Sequence, residues 1–436
     1  MLAKIFKRIN GTASYALLSQ LTTAAYGFGL LLFLVRVITQ EELGHWVLFV
    51  SAISISDMIM QGLLQTIVVK ECAESKDDSL KMAKISSNAF IIGIGLIATI
   101  SILGAAITWL GNQSDSQSSF ILEFARWYPL YGLSMLLFNL SMWFGNGRSD
   151  FRFIFIQRVL YVGVSAGIIL TCHSVGLKLT ISLLAISQIA AYTINSIFAL
   201  LTKQFSLSVK LVDSGIIKEY LHYGKYTVGT LLGSSLLRNS DTFMIAAFLG
   251  AGYVAIYQLA QKVLEVFEII LRSVSSYLFP ILQGLKSNLH MLKRTLIKSL
   301  RYLMLIFIPL VLVIASNAEV LIELISGSGD YYDSSIILQI FMIYVVLLPF
   351  DRLIGVVLEV LNLPQMNLIK TIVLISINLI GNALVLKYFG SLQYVALVSS
   401  LALIVGIAAG IFMLNRHLGP GQKITSHLLS FLKFNN

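Results

Sequence analysis

The sequence predicts an all-α integral membrane protein with about twelve transmembrane helices. Of its 436 residues, 57% are hydrophobic and only 12% are charged, whereas a soluble protein carries about 25% charged residues. Apolar runs of roughly 20 residues recur along the whole chain, and each can cross a hydrocarbon core about 30 Å thick. A transmembrane β-barrel would instead show alternating strands of about ten residues.

The first apolar run is too long for the apolar part of a cleaved signal peptide, and no small-residue cleavage site follows it. We therefore interpret this run as the first transmembrane helix. The predicted helices cover residues 12–35, 44–66, 85–110, 121–145, 153–171, 179–201, 225–248, 254–279, 301–325, 335–360, 367–388 and 391–414.

The distribution of Lys and Arg predicts that both termini are cytoplasmic. Twenty-two of these residues, Lys370 among them, fall on the side of the N terminus, and three fall on the other side. Positively charged loops are retained in the cytoplasm. The formal net charge of +10 lies mainly on that face, where anionic lipid headgroups attract it. This charge is a topology signal, and it gives no reason to propose a nucleic-acid partner.

Twelve helices divide into two sets of six, and an even number makes both sets enter the membrane from the same side. The sequence therefore favours a parallel repeat, in which the halves are related by a pseudo-two-fold axis along the membrane normal. A shift of 211 residues supports it weakly, because it aligns Asp57 with Glu268 and Gln61 with Arg272. The predicted organisation is an N-terminal lobe, 1–202, a cytoplasmic linker, 203–224, a C-terminal lobe, 225–414, and a cytoplasmic tail, 415–436.

Several short motifs resemble the multidrug/oligosaccharidyl-lipid/polysaccharide (MOP) exporter superfamily. The segment RVITQEELG at 36–44 resembles the first external turn of polysaccharide-repeat-unit exporters. The segments NSDTFM at 239–244 and YQLAQK at 257–262 resemble the start of their second half, and LNLP at 361–364 also matches. The resemblance extends over nearly the whole chain and is strongest to the O-antigen (Wzx-type) flippases.

This resemblance implies two six-helix lobes around a central cavity that opens alternately to each side of a bacterial cytoplasmic (inner) membrane. It implies a substrate of undecaprenyl diphosphate carrying an oligosaccharide, which moves from the cytoplasmic to the outer leaflet. The product would supply O-antigen, capsule or exopolysaccharide assembly, with a polysaccharide polymerase and a chain-length regulator as partners.

Charged residues inside the predicted helices are the candidate site residues. A charge at a helix centre costs about 2.5–3.5 kcal/mol, so these side chains should face protein or water. Basic groups suit a diphosphate, which Arg can bind with two parallel hydrogen bonds. The candidates for contact with substrate are Arg238, Lys262, Arg272, Arg352, Arg126 and Arg158, and those for coupling or gating are Asp57, Asp241, Glu265, Glu268 and Asp351.

The segment KVLEVFEIILR at 262–272 places four of these charges on one helical stripe. One interpretation is pairing within the helix, Lys262 with Glu265 and Glu268 with Arg272. The other is a polar wall of a water-filled cavity, and the two are compatible.

Partners from the preceding helix are a further hypothesis for this segment. Asp241 and Lys262 lie at equal depths below the turn that joins helices seven and eight, and so do Arg238 and Glu265. Equal depth predicts that at least one of these two ion pairs forms.

Asp57 lies near the middle of helix two with no acid or base nearby in sequence, which favours a functional role. Arg126 and Arg158 could instead extend their guanidinium groups to the membrane surface.

Three function classes compete. A cation-coupled exporter of the multidrug and toxin extrusion family would favour a carboxylate in the first helix, but 12–35 contains no Asp or Glu. A polymerase or ligase would need catalytic groups outside the membrane, and the longest external loop, 111–120, contains no His or Cys and no basic residue. The sequence therefore favours a flippase. It contains no P-loop motif GxxxxGK[ST] and suggests no metal site or cofactor, and coupling to H⁺ or Na⁺ stays open.

Overall fold

The computed structural model describes residues 11–75, 78–111 and 119–418, and every regular element in these ranges is a helix. Contacts between Cα atoms divide the chain into two compact units, Met1–Asn239 and Ser240–Asn436, here called unit 1 and unit 2. Each unit is described by itself.

Unit 1 is built from seven α-helices and the first part of an eighth, with a 3₁₀ turn at Val209–Leu211 before the eighth. The helices are α1 Gly11–Val37, α2 Gln40–Met60, α3 Thr66–Glu74, α4 Ser79–Gly111, α5 Ser119–Arg148, α6 Phe151–Ser174, α7 Ile181–Leu201 and α8 Ser214–Leu249.

Helix α5 is the centre of unit 1, where it packs against α2, α3, α4 and α7, while α6 packs against α1 and α7. Helix α2 begins with a capping box, because the Thr39 hydroxyl accepts the Glu42 N–H and the Glu42 carboxylate accepts the Thr39 N–H, both at 3.3 Å. A π-helical turn, Gln61–Gln65, joins α2 to α3 without a break. Such turns occur frequently at functional sites.

Unit 2 contains the remaining helices, with a 3₁₀ turn at Gly329–Tyr331. They are α9 Ala251–Gly284, α10 Leu289–Ser316, α11 Ala318–Ser326, α12 Tyr332–Val360, α13 Pro364–Tyr388 and α14 Leu392–Leu418.

Helix α12 is the centre of unit 2. It packs against α9, α10, α11 and α14, and α13 packs against α14. Helices α1–α7, with short α3 counted with α2, and helices α8–α14, with short α11 counted with α10, form two sets of six. In each set the fourth helix is central and contacts the second, third and sixth, so the two sets share one order of helix pairing.

Nine helical segments in the described ranges are long and apolar enough to cross a membrane. The three other long helices, α5, α8 and α9, also carry charged residues, among them Glu123, Asp241 and Lys262. The prediction of an all-helical, multi-pass membrane protein is confirmed.

The structure corrects one predicted span, because 301–325 is not a single helix. Helix α10 ends at Ser316, and α11 begins at Ala318. The carboxamide of the intervening Asn317 donates to the Val313 carbonyl at 2.8 Å. A side chain that bonds to the backbone in this way competes with continuation of the helix.

The predicted linker 203–224 is helical from Ser214 onward. The Asp213 carboxylate accepts the Gly215 N–H at 2.9 Å and the Lys84 ammonium at 3.0 Å. The hydrogen bond from Lys84, with that from Gly215, lowers the pKa of Asp213. The carboxylate is thus kept charged at the helix N-terminus, where negative charge is favourable.

The backbone requires glycine at two positions, one within α8 and one directly after it. A Cβ on Gly224 would lie 2.7 Å from the Leu63 Cα, so glycine permits the close approach of α8 to the π-helical turn. Gly250 has φ +103°, a conformation that favours glycine, in the turn between α8 and α9. Gly250 lies between the segments 239–244 and 257–262, which resemble the exporter motifs.

Candidate functional site

Asp57 is held in a polar cluster of unit 1. Its carboxylate accepts hydrogen bonds from Gln61 Nε2 and from Asn139 Nδ2, both at 2.7 Å. Gln61 is one helical turn further on, at the start of the π-helical turn, and Asn139 comes from the central helix α5. All three residues are half-buried. The cluster therefore presents a carboxylate and two amides at a partly accessible position.

Arg158 on α6 belongs to the same region, because its guanidinium is close enough to interact electrostatically with Asp57. The guanidinium also lies over the Phe138 ring, 5.7 Å from its centroid. Since Arg158 is only half-buried, it can contact Phe138 and still present N–H donors to a ligand.

Aromatic residues with hydroxyl groups extend this polar region through unit 1. The Tyr161 and Tyr192 ring centroids are 4.9 Å apart, and Tyr192 lies 5.6 Å from Tyr131. Gln188 Nε2 donates to the Tyr26 hydroxyl at 3.0 Å, and the Tyr161 hydroxyl donates to Gln188 Oε1. Tyr131 and Tyr161 are buried, so the half-buried Tyr26 and Tyr192 are the members that can pack against a ligand or hydrogen-bond to it.

Asp241 lies in a second cluster, which is buried in unit 2. Its carboxylate accepts from the Tyr257 hydroxyl at 2.9 Å, from Asn382 Nδ2 at 2.8 Å and from the Ser399 hydroxyl at 3.3 Å. Asn378 joins the group, because its carboxamide oxygen accepts from Asn382 at 3.1 Å and its nitrogen donates to Ser399 at 3.0 Å. Within the described residues, Asn382 Oδ1 is buried without a hydrogen-bond partner.

Of the two candidate ion pairs, the one between Asp241 and Lys262 does not form, and the prediction that at least one of them forms stays a prediction. Asp241 bonds to Tyr257, Asn382 and Ser399 instead, whereas the Lys262 ammonium contacts Glu265. Equal depth in the membrane does not determine which way a side chain faces around its helix, and here neutral donors surround the carboxylate. The second predicted pair, of Arg238 with Glu265, cannot be assessed, because the Arg238 side chain lies outside the described residues.

The predicted pairing within α9 is confirmed for Lys262 and Glu265, whose Nζ and Oε2 atoms lie 2.8 Å apart. Glu268 is half-buried and interacts with another group of the protein. Its pairing with Arg272 stays a prediction. Arg126, Arg272 and Arg352 are exposed, and the Arg126 guanidinium is 5.3 Å from the Trp127 ring centroid. Their roles as candidate contacts with substrate stay predictions.

Removing the Lys262–Glu265 pair should change stability little, because the two side chains are 29% and 41% exposed. We expect Glu265→Gln to change the free energy of unfolding by less than about 1 kcal/mol. Thermal unfolding of the purified protein, compared with that of Lys262→Ala, measures this. A much larger loss in either variant would show that the pair has further partners.

Asp351 has a partner that the sequence analysis did not propose. Its carboxylate lies 2.7 Å from the Lys370 ammonium on α13, which also donates to the Asp351 main-chain carbonyl at 3.3 Å. Lys370 is 4% exposed. The ion pair therefore joins α12 to α13 within unit 2.

The residues that the sequence analysis missed are mostly neutral and polar. Asn139, Asn378, Asn382 and Ser399 complete the two carboxylate clusters. The sequence marks each of them as a polar residue inside an apolar run. Asn378 and Asn382 are also one helical turn apart, so they share one face of the helix.

Residues 33–336 match the family described as "Polysaccharide biosynthesis protein". The chain belongs to this family. A curated relative from Haloferax volcanii is named a probable low-salt glycan biosynthesis flippase, Agl15, and is 24% identical over 189 residues. That match covers 43% of this chain and 40% of the relative, so the chain spans less than half of the relative's length.

Solved structures show the same fold. The lipid II flippase MurJ, in an inward closed conformation, has a TM-score of 0.72 at 14% identity, with 96% of this chain and 91% of that chain covered. An inward-facing multidrug resistance MATE transporter of the MOP superfamily has a TM-score of 0.68 at 14% identity, with 97% and 96% covered. The family model thus places the chain among polysaccharide biosynthesis proteins, and the two structures show that its fold is the one found in the flippase MurJ and in a MATE transporter of the MOP superfamily.

Proposed function

We propose that the protein is a flippase for undecaprenyl-diphosphate-linked oligosaccharide repeat units. It would move them from the cytoplasmic to the outer leaflet of a bacterial inner membrane, with both termini in the cytoplasm. The units would enter the assembly of a surface polysaccharide, such as O-antigen, capsule or exopolysaccharide. A lipid-linked glycan is also the kind of substrate that the name of the Haloferax volcanii relative suggests.

The main observation is the half-buried cluster of Asp57, Gln61, Asn139 and Arg158 in unit 1. Carboxylate and amide groups can exchange hydrogen bonds with sugar hydroxyls, and a guanidinium can bind a phosphate through two parallel hydrogen bonds. Polar groups within a membrane protein usually mark a substrate pathway, because they are costly to bury in lipid. The cluster thus suits a glycan or its diphosphate better than a cationic drug.

Alternating access between two six-helix lobes is part of this proposal. The order of helix pairing that α1–α7 and α8–α14 share supports a repeat, as do the predicted two sets of six helices. In transporters with repeats, transport comes from movement of one repeat against the other around a site.

Asp241 is the best-placed candidate for cation coupling. Its carboxylate, the Ser399 hydroxyl and the unpartnered Asn382 carboxamide oxygen lie in one buried cluster. Such oxygens are ligands that hard cations take, and a carboxylate can also exchange a proton. Na⁺ or H⁺ coupling through Asp241 is therefore part of the proposal.

Deletion of the gene tests the substrate class. We expect undecaprenyl-linked repeat units to accumulate on the cytoplasmic leaflet and surface polysaccharide to fall, because nothing then carries the units across. Mass spectrometry of extracted lipids and quantification of cell-surface glycan measure these effects, with a plasmid copy of the gene as the control.

The second candidate is a cation-coupled multidrug exporter, favoured by the fold similarity to the MATE transporter. Unchanged surface polysaccharide together with reduced export of a dye or drug would support it and refute the flippase. The absence of Asp and Glu from α1 weighs against it.

A further inference from the structure

The first turns of α10 present a row of exposed cations. His290, Arg294, Lys298 and Arg301 follow one another at intervals of four, four and three residues, so they share one face of the helix. All four are exposed and line an open groove of about 810 Å³. We call these four residues the basic face of α10.

The chain provides no acid near this face in sequence. Between Glu268 and Glu319 it contains no Asp or Glu. Among the described residues, no salt bridge involves Arg294, Lys298 or Arg301. The positive charge of the basic face is therefore available to an anion from outside the protein.

The same side of α10 becomes apolar toward its C-terminal end. Leu305 and Leu312 continue the stripe and are 72% and 63% exposed. This helix is long and apolar enough to cross a membrane. The surface thus combines a cationic end with an apolar strip, which matches an anionic headgroup followed by hydrocarbon chains.

We propose that the basic face of α10 binds the headgroups of anionic phospholipids in the leaflet on its own side, which the Lys and Arg distribution predicts to be cytoplasmic. Each Lys or Arg near an anionic surface contributes about 1 kcal/mol of attraction. The inference does not depend on the flippase proposal, because it concerns the surrounding membrane and not the transported molecule.

The length of the row favours several headgroups over one compact diphosphate. His290 and Arg301 are eleven residues apart, so they are separated by about 16 Å along the helix axis. The two adjoining phosphates of a diphosphate can contact only neighbouring cations on such a row. Adjacent phospholipid headgroups can contact all of it.

The test measures binding of phosphatidylglycerol and phosphatidylcholine to the purified full-length protein by native mass spectrometry. We expect the wild type to prefer phosphatidylglycerol, and the preference to weaken as ionic strength rises. The triple variant Arg294→Gln, Lys298→Gln, Arg301→Gln should raise the apparent dissociation constant for phosphatidylglycerol roughly 100-fold.

The matched control is Lys81→Gln, Lys210→Gln, Lys218→Gln, which removes the same charge from exposed residues elsewhere on the predicted cytoplasmic side. It should retain nearly all of the binding. Equal losses in both triple variants, or equal binding of the two lipids by the wild type, would overturn the proposal. So would displacement of phosphatidylglycerol by equimolar undecaprenyl diphosphate, which would identify the carrier lipid as the occupant. Thermal unfolding checks that each variant is folded.

Discussion

Asp57→Asn is expected to reduce transport strongly while leaving the protein folded and normally expressed. Gln61 and Asn139 now donate to the carboxylate. Either amide can rotate to present its oxygen instead, so an asparagine at this position can keep its hydrogen bonds. The substitution therefore removes the charge with little change in shape.

The expected loss follows from the charge. A hydrogen bond to a charged group contributes about 1.5–3 kcal/mol, so a transport step that uses the Asp57 carboxylate should slow roughly 10- to 100-fold. Restoration of surface polysaccharide in the deletion strain measures transport, and immunoblotting of membranes measures expression. Asp57→Ala should be at least as defective, because it also leaves the two amides without their acceptor.

The control is Glu323→Gln, because Glu323 is exposed at the end of α11. Glu123 is a poorer control, because its carboxylate accepts hydrogen bonds from Trp127 at 2.9 Å and from Ser182 at 2.7 Å. Full activity of Asp57→Asn at normal expression would show that the cluster of unit 1 is structural only.

Sequence reasoning identified the helices because apolar runs of about 20 residues determine them almost directly. It also identified the Lys262–Glu265 pair, because residues three apart on one helix are neighbours whatever surrounds them. It failed for Asp241, whose partners Asn382 and Ser399 come from α13 and α14, more than 140 residues further along the chain. Which face each helix turns toward its neighbours is decided by packing, and no local pattern records it.

Lys370 illustrates the same limit. Because Lys370 lies near the start of predicted helix 367–388, the sequence analysis counted it among the Lys and Arg residues that predict the membrane topology. The structure buries it instead, and Gly410 on α14 makes room for it, since a Cβ there would lie 3.1 Å from the Lys370 Cδ. The charge of Asp351 on α12 explains why a lysine is tolerated at this position.

Removing either partner of the Asp351–Lys370 pair should be destabilising, and the two losses should be unequal. The Lys370 side chain is 5% exposed and that of Asp351 is 23% exposed. Asp351→Leu leaves the ammonium group buried, and its remaining acceptor among the described residues is the main-chain carbonyl of residue 351. We expect this variant to lose on the order of 3 kcal/mol, because an unpaired buried charge is costly.

Lys370→Met should lose less than Asp351→Leu, because the remaining carboxylate can reach water. The double variant Asp351→Leu, Lys370→Met should recover much of the loss, since replacing a buried ion pair by apolar side chains is often nearly neutral. Thermal unfolding of the four proteins in detergent measures the order of stability. Additive losses in the double variant would show that the two charges do not interact. If the double variant is as stable as the wild type but does not transport, then the pair serves a conformational step and not the fold, which is the gating role that the sequence predicted for Asp351.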